Sequence, residues 1–311
     1  MGNIVNIAFQ GGTHGNYLRF CIDKFSTLTK SLEGTPFTEN NTSHIKLDYS
    51  GSVDRYHPTH DSPYFKDINE PHILITVNEE DLLFLERWVT IRAGDFGVDT
   101  SQELITVNSK FLDNFPWEEK FKQHYNIDLK NNNTIPKFIV RDSYKLSFLD
   151  PKKNGFITVD RELRKHRPHN TFSFPVSSFW DKDKFFKTLS QASEFLNLKL
   201  DLLDTSVHDA FLDRLPWINT KNRVDEVIKA IQDKQDMDIR ELDTVEQAYV
   251  SAWIEKNHDF VTVPVCNQFF RTTSELIQWL EHYPQHYKAM NPNLPKFNNI
   301  PNPFHLWNLN K

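Results

Sequence analysis

Glycine is scarce in this chain. Nine occur in 311 residues, fewer than half of what an ordinary usage of about 7% supplies, so the few places that need a bare backbone are worth locating. Cysteine is scarcer: Cys21 and Cys266 are the only two. Both sit among apolar neighbours, which excludes a disulfide-stapled scaffold and favours a reducing compartment. No apolar run approaches the ~18 residues of a membrane span. The opening Met1-Gly2-Asn3-Ile4-Val5-Asn6 has neither a basic leader nor a long apolar segment, and Asn6 stands where a myristoylation signal wants a hydroxyl. A soluble, cytoplasmic protein is expected. Basic charge is not in excess either, since 36 Lys and Arg face 42 Asp and Glu for a net charge of -6. That excludes a global field able to hold nucleic acid or an anionic membrane non-specifically. Any bound anion has to be met by a local site.

Aromatic residues are plentiful, with 25 Phe, 9 Tyr and 7 Trp, enough to build a sizeable core. Three of the nine glycines, Gly11, Gly12 and Gly15, fall within five residues. They follow the apolar run Ile4 to Phe9 and precede Asn16 to Phe25, where Leu18, Cys21, Ile22 and Phe25 recur at helical spacing. The pattern predicts a strand, a glycine loop and a helix. His72 to Val77 predicts a second strand, and Asn78 with Glu79, Glu80 and Asp81 predicts a capped helix running to about Arg92. Helices are expected at Ser101 to Asn114 and Trp117 to Tyr125, a third strand at Ile135 to Val140, and a fourth at Thr171 to Val176 leading to a helix opened by Asp181. Residues 26–70 and 148–170 read as irregular, the first with a short strand at Ile45 to Tyr49. Beyond about residue 200 the chain reads as mostly helical. Strands alternating with helices predict an α/β fold with a mainly parallel sheet flanked by helices, as one domain over 1–311 whose C-terminal portion, about 200–311, is a largely helical extension.

Ligands of a parallel sheet bind at the carboxyl ends of its strands, and the glycine loop lies at such an end, directly before a helix N-terminus. Amides around Gly11, Gly12 and Gly15 can converge on phosphate oxygens, with Thr13, Asn16 and Tyr17 beside them. The same glycines would also serve a tight turn that needs them for backbone shape alone. Neither standard fingerprint is met. Gly15 is followed by Asn16-Tyr17 where a Walker loop needs Lys and a hydroxyl, and Gly-Gly-Thr-His-Gly lacks the dinucleotide spacing. A second constellation is Arg141-Asp142-Ser143-Tyr144-Lys145-Leu146-Ser147, where an arginine at a strand end with Ser143 and Ser147 after it can grip another phosphate, or simply pair with Asp142.

Together the two patches resemble the nucleotide-binding signature of the sulfotransferase family. Phe174-Pro175-Val176-Ser177-Ser178-Phe179-Trp180-Asp181, leading to Phe195-Leu196, is similar to that family's late strand and the helix after it. The resemblance implies a P-loop-like fold and 3'-phosphoadenosine 5'-phosphosulfate as cosubstrate. It also implies transfer of a sulfuryl group to the hydroxyl or amine of an unidentified acceptor, with no metal. On it, Gly11, Gly12, Thr13, Gly15, Asn16 and Tyr17 hold the 5'-phosphosulfate, and Arg141, Ser143 and Ser147 the 3'-phosphate. The family's loop carries a Lys or Arg, whereas this one has Thr13 and His14, and the Arg141 to Ser147 interval is shorter than the family's. His14 is therefore the expected catalytic group, with Lys145 or the basic stretch Arg161 to Arg167 as other sources of charge. His57, His60, His166 and His169 are further candidate bases. The alternatives are another nucleotide-dependent transferase or kinase-like enzyme of the same fold, and a non-catalytic binding relative.

Overall fold

The computed structural model of the protein describes residues 5–26, 53–56, 65, 69–87, 104–106, 134–136, 144–201, 205–215, 218–258 and 270–282. The chain divides into two compact units that interleave, Met1–Leu85 with Gly155–Ile218, and Glu86–Asn154 with Asn219–Lys311. The sequence reading instead appends a helical extension to a single domain.

The first unit is built on a four-stranded parallel sheet in the order β2-β1-β3-β6, from β1 (Val5–Ala8), β2 (Val53–Tyr56), β3 (His72–Thr76) and β6 (Thr171–Pro175). Every residue of β3 is buried, as expected of a central strand covered on both faces. Register and alternation assign the faces. Ile7 pairs with Ile73, and Ile75 with Phe174, so these side chains share one face. Phe174 meets Phe185 of α5 (Lys182–Phe195), and Phe185 meets Tyr17 of α1 (Gly15–Phe25), which places both helices over that face. Ala8 and Leu74 point the other way and pack with Phe65 and with Leu163 of α4 (Gly155–His166).

Local signals explain the element ends. The Asp181 carboxylate accepts the Lys184 amide at 2.9 Å and caps α5. Asn78 and Asp81 form a capping box ahead of the short turn Glu79–Asp81, which continues into α2 (82–87). α6 (Ser206–Leu212) closes over α1 and α5 through the aromatic contacts described below. Three expectations differ from what is found. The 26–70 stretch supplies an edge strand, β2, at 53–56, while 45–49 lies outside the described residues. The 148–170 stretch contains α4, whose Phe156, Ile157, Asp160 and Leu163 form a buried stripe beneath a highly charged surface.

The third difference lies in the second unit. Residues 104–106, expected in a helix, form β4 (Leu104–Thr106), which pairs antiparallel with β5 (Thr134–Pro136). The strand expected at 135–140 is thus seen at 134–136 in a separate two-stranded sheet, with 137–143 outside the described residues. The rest is helical: α3 (144–149), α7 (Ile218–Gln232), α8 (Thr244–His258) and α9 (Thr273–His282). Ion pairs tie these helices together. Lys145 meets Glu255 at 3.2 Å with both side chains 3% exposed. Arg223 donates from Nε to Glu246 at 3.0 Å, Arg87 pairs with Asp243, and Asp243 and Glu246 form the reciprocal cap that opens α8.

Candidate functional site

The strand order reverses between β1 and β3. From β1 the chain moves to one side of the sheet, to β2, and from β3 to the other, to β6. At such a reversal the loops leaving adjacent carboxyl ends part, and a ligand can enter between them. One lip is the glycine loop after β1, and the other is Val77-Asn78 after β3.

The first lip is shaped by its backbone. Gln10 O accepts both the Thr13 amide, at 3.2 Å, and the Thr13 hydroxyl, at 2.8 Å, closing a turn. Gln10 in turn donates from Nε2 to Phe156 O at 3.0 Å, binding the loop to the start of α4. Gly12 sits at φ 92, where a side chain is strained. Gly15 is bare for another reason, because a Cβ there would lie 2.2 Å from the Phe9 ring. α1 then opens with no side-chain cap and no acidic residue in its first turn, so no carboxylate of that turn offsets its positive end. That arrangement suits an anion.

His14 occupies the N-cap position in the left-handed region, φ 62 and ψ 20, and is 5% exposed. Its ring lies 5.4 Å from Phe179 and 5.2 Å from Phe211. The Trp180 indole donates from Nε1 to His14 Nε2 at 3.3 Å. An indole N–H can only donate, so Nε2 is the acceptor in this contact. Behind it Tyr17 stacks on Phe211 at 3.9 Å, and its hydroxyl shares a 2.9 Å hydrogen bond with Nδ1 of the fully buried His208. Burial pushes the Tyr17 phenol far above its usual range and the Cys21 thiol up to about 12. It pushes His208 down to about 4. All three are neutral packing groups at neutral pH, and the cluster wedges the loop from behind.

The second lip carries charge. Asp160 of α4 accepts the Val77 amide at 2.9 Å and Arg164 Nε at 2.5 Å, while Arg164 Nη2 reaches Val77 O at 3.3 Å and Asn78 Oδ1 at 3.2 Å. Asp81 accepts the Asn78 amide at 2.7 Å and also bonds the Ser177 hydroxyl at the end of β6. Burial raises Asp81 to about 6, helped by the nearby carboxylates Glu80 and Asp160, against the lowering effect of its hydrogen bonds to Asn78 and Ser177. Burial raises Asp160 as well, against its bonds to Val77 and Arg164.

Of the residues expected from sequence, Gly11, Gly12, Thr13, His14, Gly15, Asn16 and Tyr17 are all on or behind the first lip. Thr13 is fully buried with its hydroxyl turned to Gln10, and Tyr17 faces the aromatic cluster. Arg141 and Ser143 lie outside the described residues, as do His57 and His60. Ser147 is buried on α3 of the second unit, beside Lys145, whose ammonium is engaged by Glu255. His166 and His169 are exposed. The basic stretch resolves into separate roles: Lys165 pairs with Glu162, Arg167 Nη1 donates to Ser173, and Arg164 donates to Val77 O and Asn78 Oδ1 on the second lip. No protein-family model, curated protein or solved structure matches the chain. Among the described residues no group of three or more His, Cys, Asp or Glu gathers as a metal cradle, and no helix is long and apolar enough to cross a membrane.

Proposed function

We propose that the chain is a cytoplasmic sulfotransferase of P-loop-like fold. It binds 3'-phosphoadenosine 5'-phosphosulfate at the carboxyl edge of the parallel sheet and passes the sulfuryl group to a hydroxyl or amine acceptor. The observation that carries this reading is the uncapped positive end of α1, opened by Gly12 at φ 92 at the point where the strand order reverses. The amides around Gly12 and Gly15 take the phosphosulfate end of the nucleotide. They stabilise charge as the bond from sulfur to the bridging phosphate oxygen breaks and the bond from the acceptor to sulfur forms. The acceptor's proton is released, and 3'-phosphoadenosine 5'-phosphate is the other product. Gly11 and Gly12 keep the approach open, and Thr13 and His14 hold the loop's shape. The buried, Trp180-bonded imidazole makes His14 a positioning group in this reading. Arg141, Ser143 and Ser147, which the resemblance places at the 3'-phosphate, belong to the second unit.

A second reading is favoured by that same histidine and by the absence of Lys and Arg from residues 10–16: a module that binds the nucleotide without turning it over. Thermal denaturation of the full chain with 3'-phosphoadenosine 5'-phosphate tests the site common to both, since a ligand that binds only the folded form raises the midpoint by mass action. A saturable rise, larger than with ATP and magnesium, is expected. No rise, or an equal one with ATP and magnesium, would remove the sulfotransferase reading. Release of product from the phosphosulfate donor then separates enzyme from binding module.

A further inference from the structure

The loop that meets the phosphosulfate lacks a cation, and the neighbouring lip supplies one. We infer that Arg164 is an anion-binding residue of the second lip, contacting the phosphosulfate or diphosphate group of the ligand from the β3 side; this inference rests on the proposed nucleotide site. Three observations carry it. The first is position. Ala8 is the register partner of Leu74, so Gln10 lies level with Thr76, and the glycine turn roughly level with Val77-Asn78. Adjacent strands are about 4.8 Å apart, so a guanidinium resting on Val77 O and Asn78 Oδ1 is on the order of 5–10 Å from the loop amides. A group of two linked tetrahedral anions can reach both.

The second observation is preorganisation. Asp160 takes Nε, while Val77 O and Asn78 Oδ1 take Nη2. Asp160 is itself fixed by the Val77 amide at 2.9 Å. The guanidinium is thereby locked in its plane, and Nη1 makes no hydrogen bond with the described residues although the side chain is 39% exposed. A planar fork held on one edge presents the other edge to a ligand without further loss of side-chain entropy. The third observation is elimination. Lys145 is committed to Glu255, Lys165 to Glu162 and Arg167 to Ser173. Asp160 weakens the field of Arg164 but also aims it.

The test is calorimetric titration of the full chain with 3'-phosphoadenosine 5'-phosphate and, separately, with inorganic pyrophosphate. It compares wild type with Arg164→Gln, Arg164→Lys and the control Arg161→Gln, one turn earlier on the exposed side of α4. At least tenfold weaker binding of pyrophosphate by Arg164→Gln is expected, with a smaller loss for 3'-phosphoadenosine 5'-phosphate, whose 5' end carries a single tetrahedral group; Arg164→Lys loses part of the pyrophosphate affinity and Arg161→Gln none. Should Arg164→Gln unfold, Arg164→Lys decides alone, because it keeps the charge and loses the fork. Wild-type affinity in that variant, with the apo midpoint unchanged, overturns the inference and leaves the nucleotide site standing. If wild type binds pyrophosphate through Arg164 but not the nucleotide, the anion site stands and the sulfotransferase reading falls. If wild type binds neither ligand, both fall.

Discussion

The two units spend their polar groups differently. In the second, cations and carboxylates close on each other: Lys145 on Glu255 in the interior, and Arg223 on Glu246 and Arg87 on Asp243 at part-exposed positions. At the carboxyl edge of the first unit, amides at the start of α1 have no side-chain cap, and Arg164 is held along one edge only. A closed pair specifies packing, while an exposed guanidinium edge invites a ligand. The lesson is that a lysine or arginine in the sequence is no guide to anion binding until its partners are known. Lys145 and Arg164 looked like equivalent substitutes for the missing loop cation, yet only Arg164 keeps an edge to offer.

The sharpest way to break this contrast is in the second unit. Lys145→Met takes the ammonium away from the buried Glu255 carboxylate, and a loss of about 3–5 kcal/mol is expected in urea unfolding. The double substitution with Glu255→Leu should recover most of it, and a single-variant loss below about 1 kcal/mol would show that the pair is not closed. Next in size is the pH response of the aromatic wedge. His208 is depressed to about 4 in the fold against about 6.5 when unfolded, so the unfolded chain binds the proton first. Stability from this group is complete above pH 6.5 and is lost as pH falls toward 4, by on the order of 3 kcal/mol. Asp81, raised to about 6, and Asp23, raised to about 7 by burial against the pull of Arg19, act in the opposite direction as pH rises. The difference between wild type and His208→Phe across that window isolates the histidine, and a flat difference would contradict its burial as a neutral base. A smaller effect is expected from Gly15→Ala, which drives a methyl into Phe9 and should cost roughly 1–3 kcal/mol, measured by the same denaturation. An unchanged midpoint would mean that the loop yields freely.

Much of the first unit was legible because its signals are local. β1 and β3 are short apolar runs, the glycine cluster marks the turn between β1 and α1, and Asn78 and Asp181 announce their caps through the residues three positions on. Other elements were hidden for identifiable reasons. β2 is Val-Asp-Arg-Tyr, an edge strand whose polar residues read as loop. β4 is three residues within a stretch that also satisfies helical spacing. α4 was masked by its charge, although Phe156, Ile157, Asp160 and Leu163 at positions i, i+1, i+4 and i+7 carry the helical period. The site divides the same way. The glycine loop follows from spacing, whereas the burial of His14 and the distinction between Arg164 and its basic neighbours depend on side chains remote in sequence, Trp180 and Phe211 for one, Val77 and Asn78 for the other.

The scarcity of glycine makes the central claim directly measurable. With glycine alone labelled with nitrogen-15, an amide spectrum of the full chain holds at most nine glycine signals, three of them from the loop. Titration with 3'-phosphoadenosine 5'-phosphate should move the Gly11, Gly12 and Gly15 signals together and saturably, with one common dissociation constant. Saturable binding that leaves those three signals in place would contradict the account.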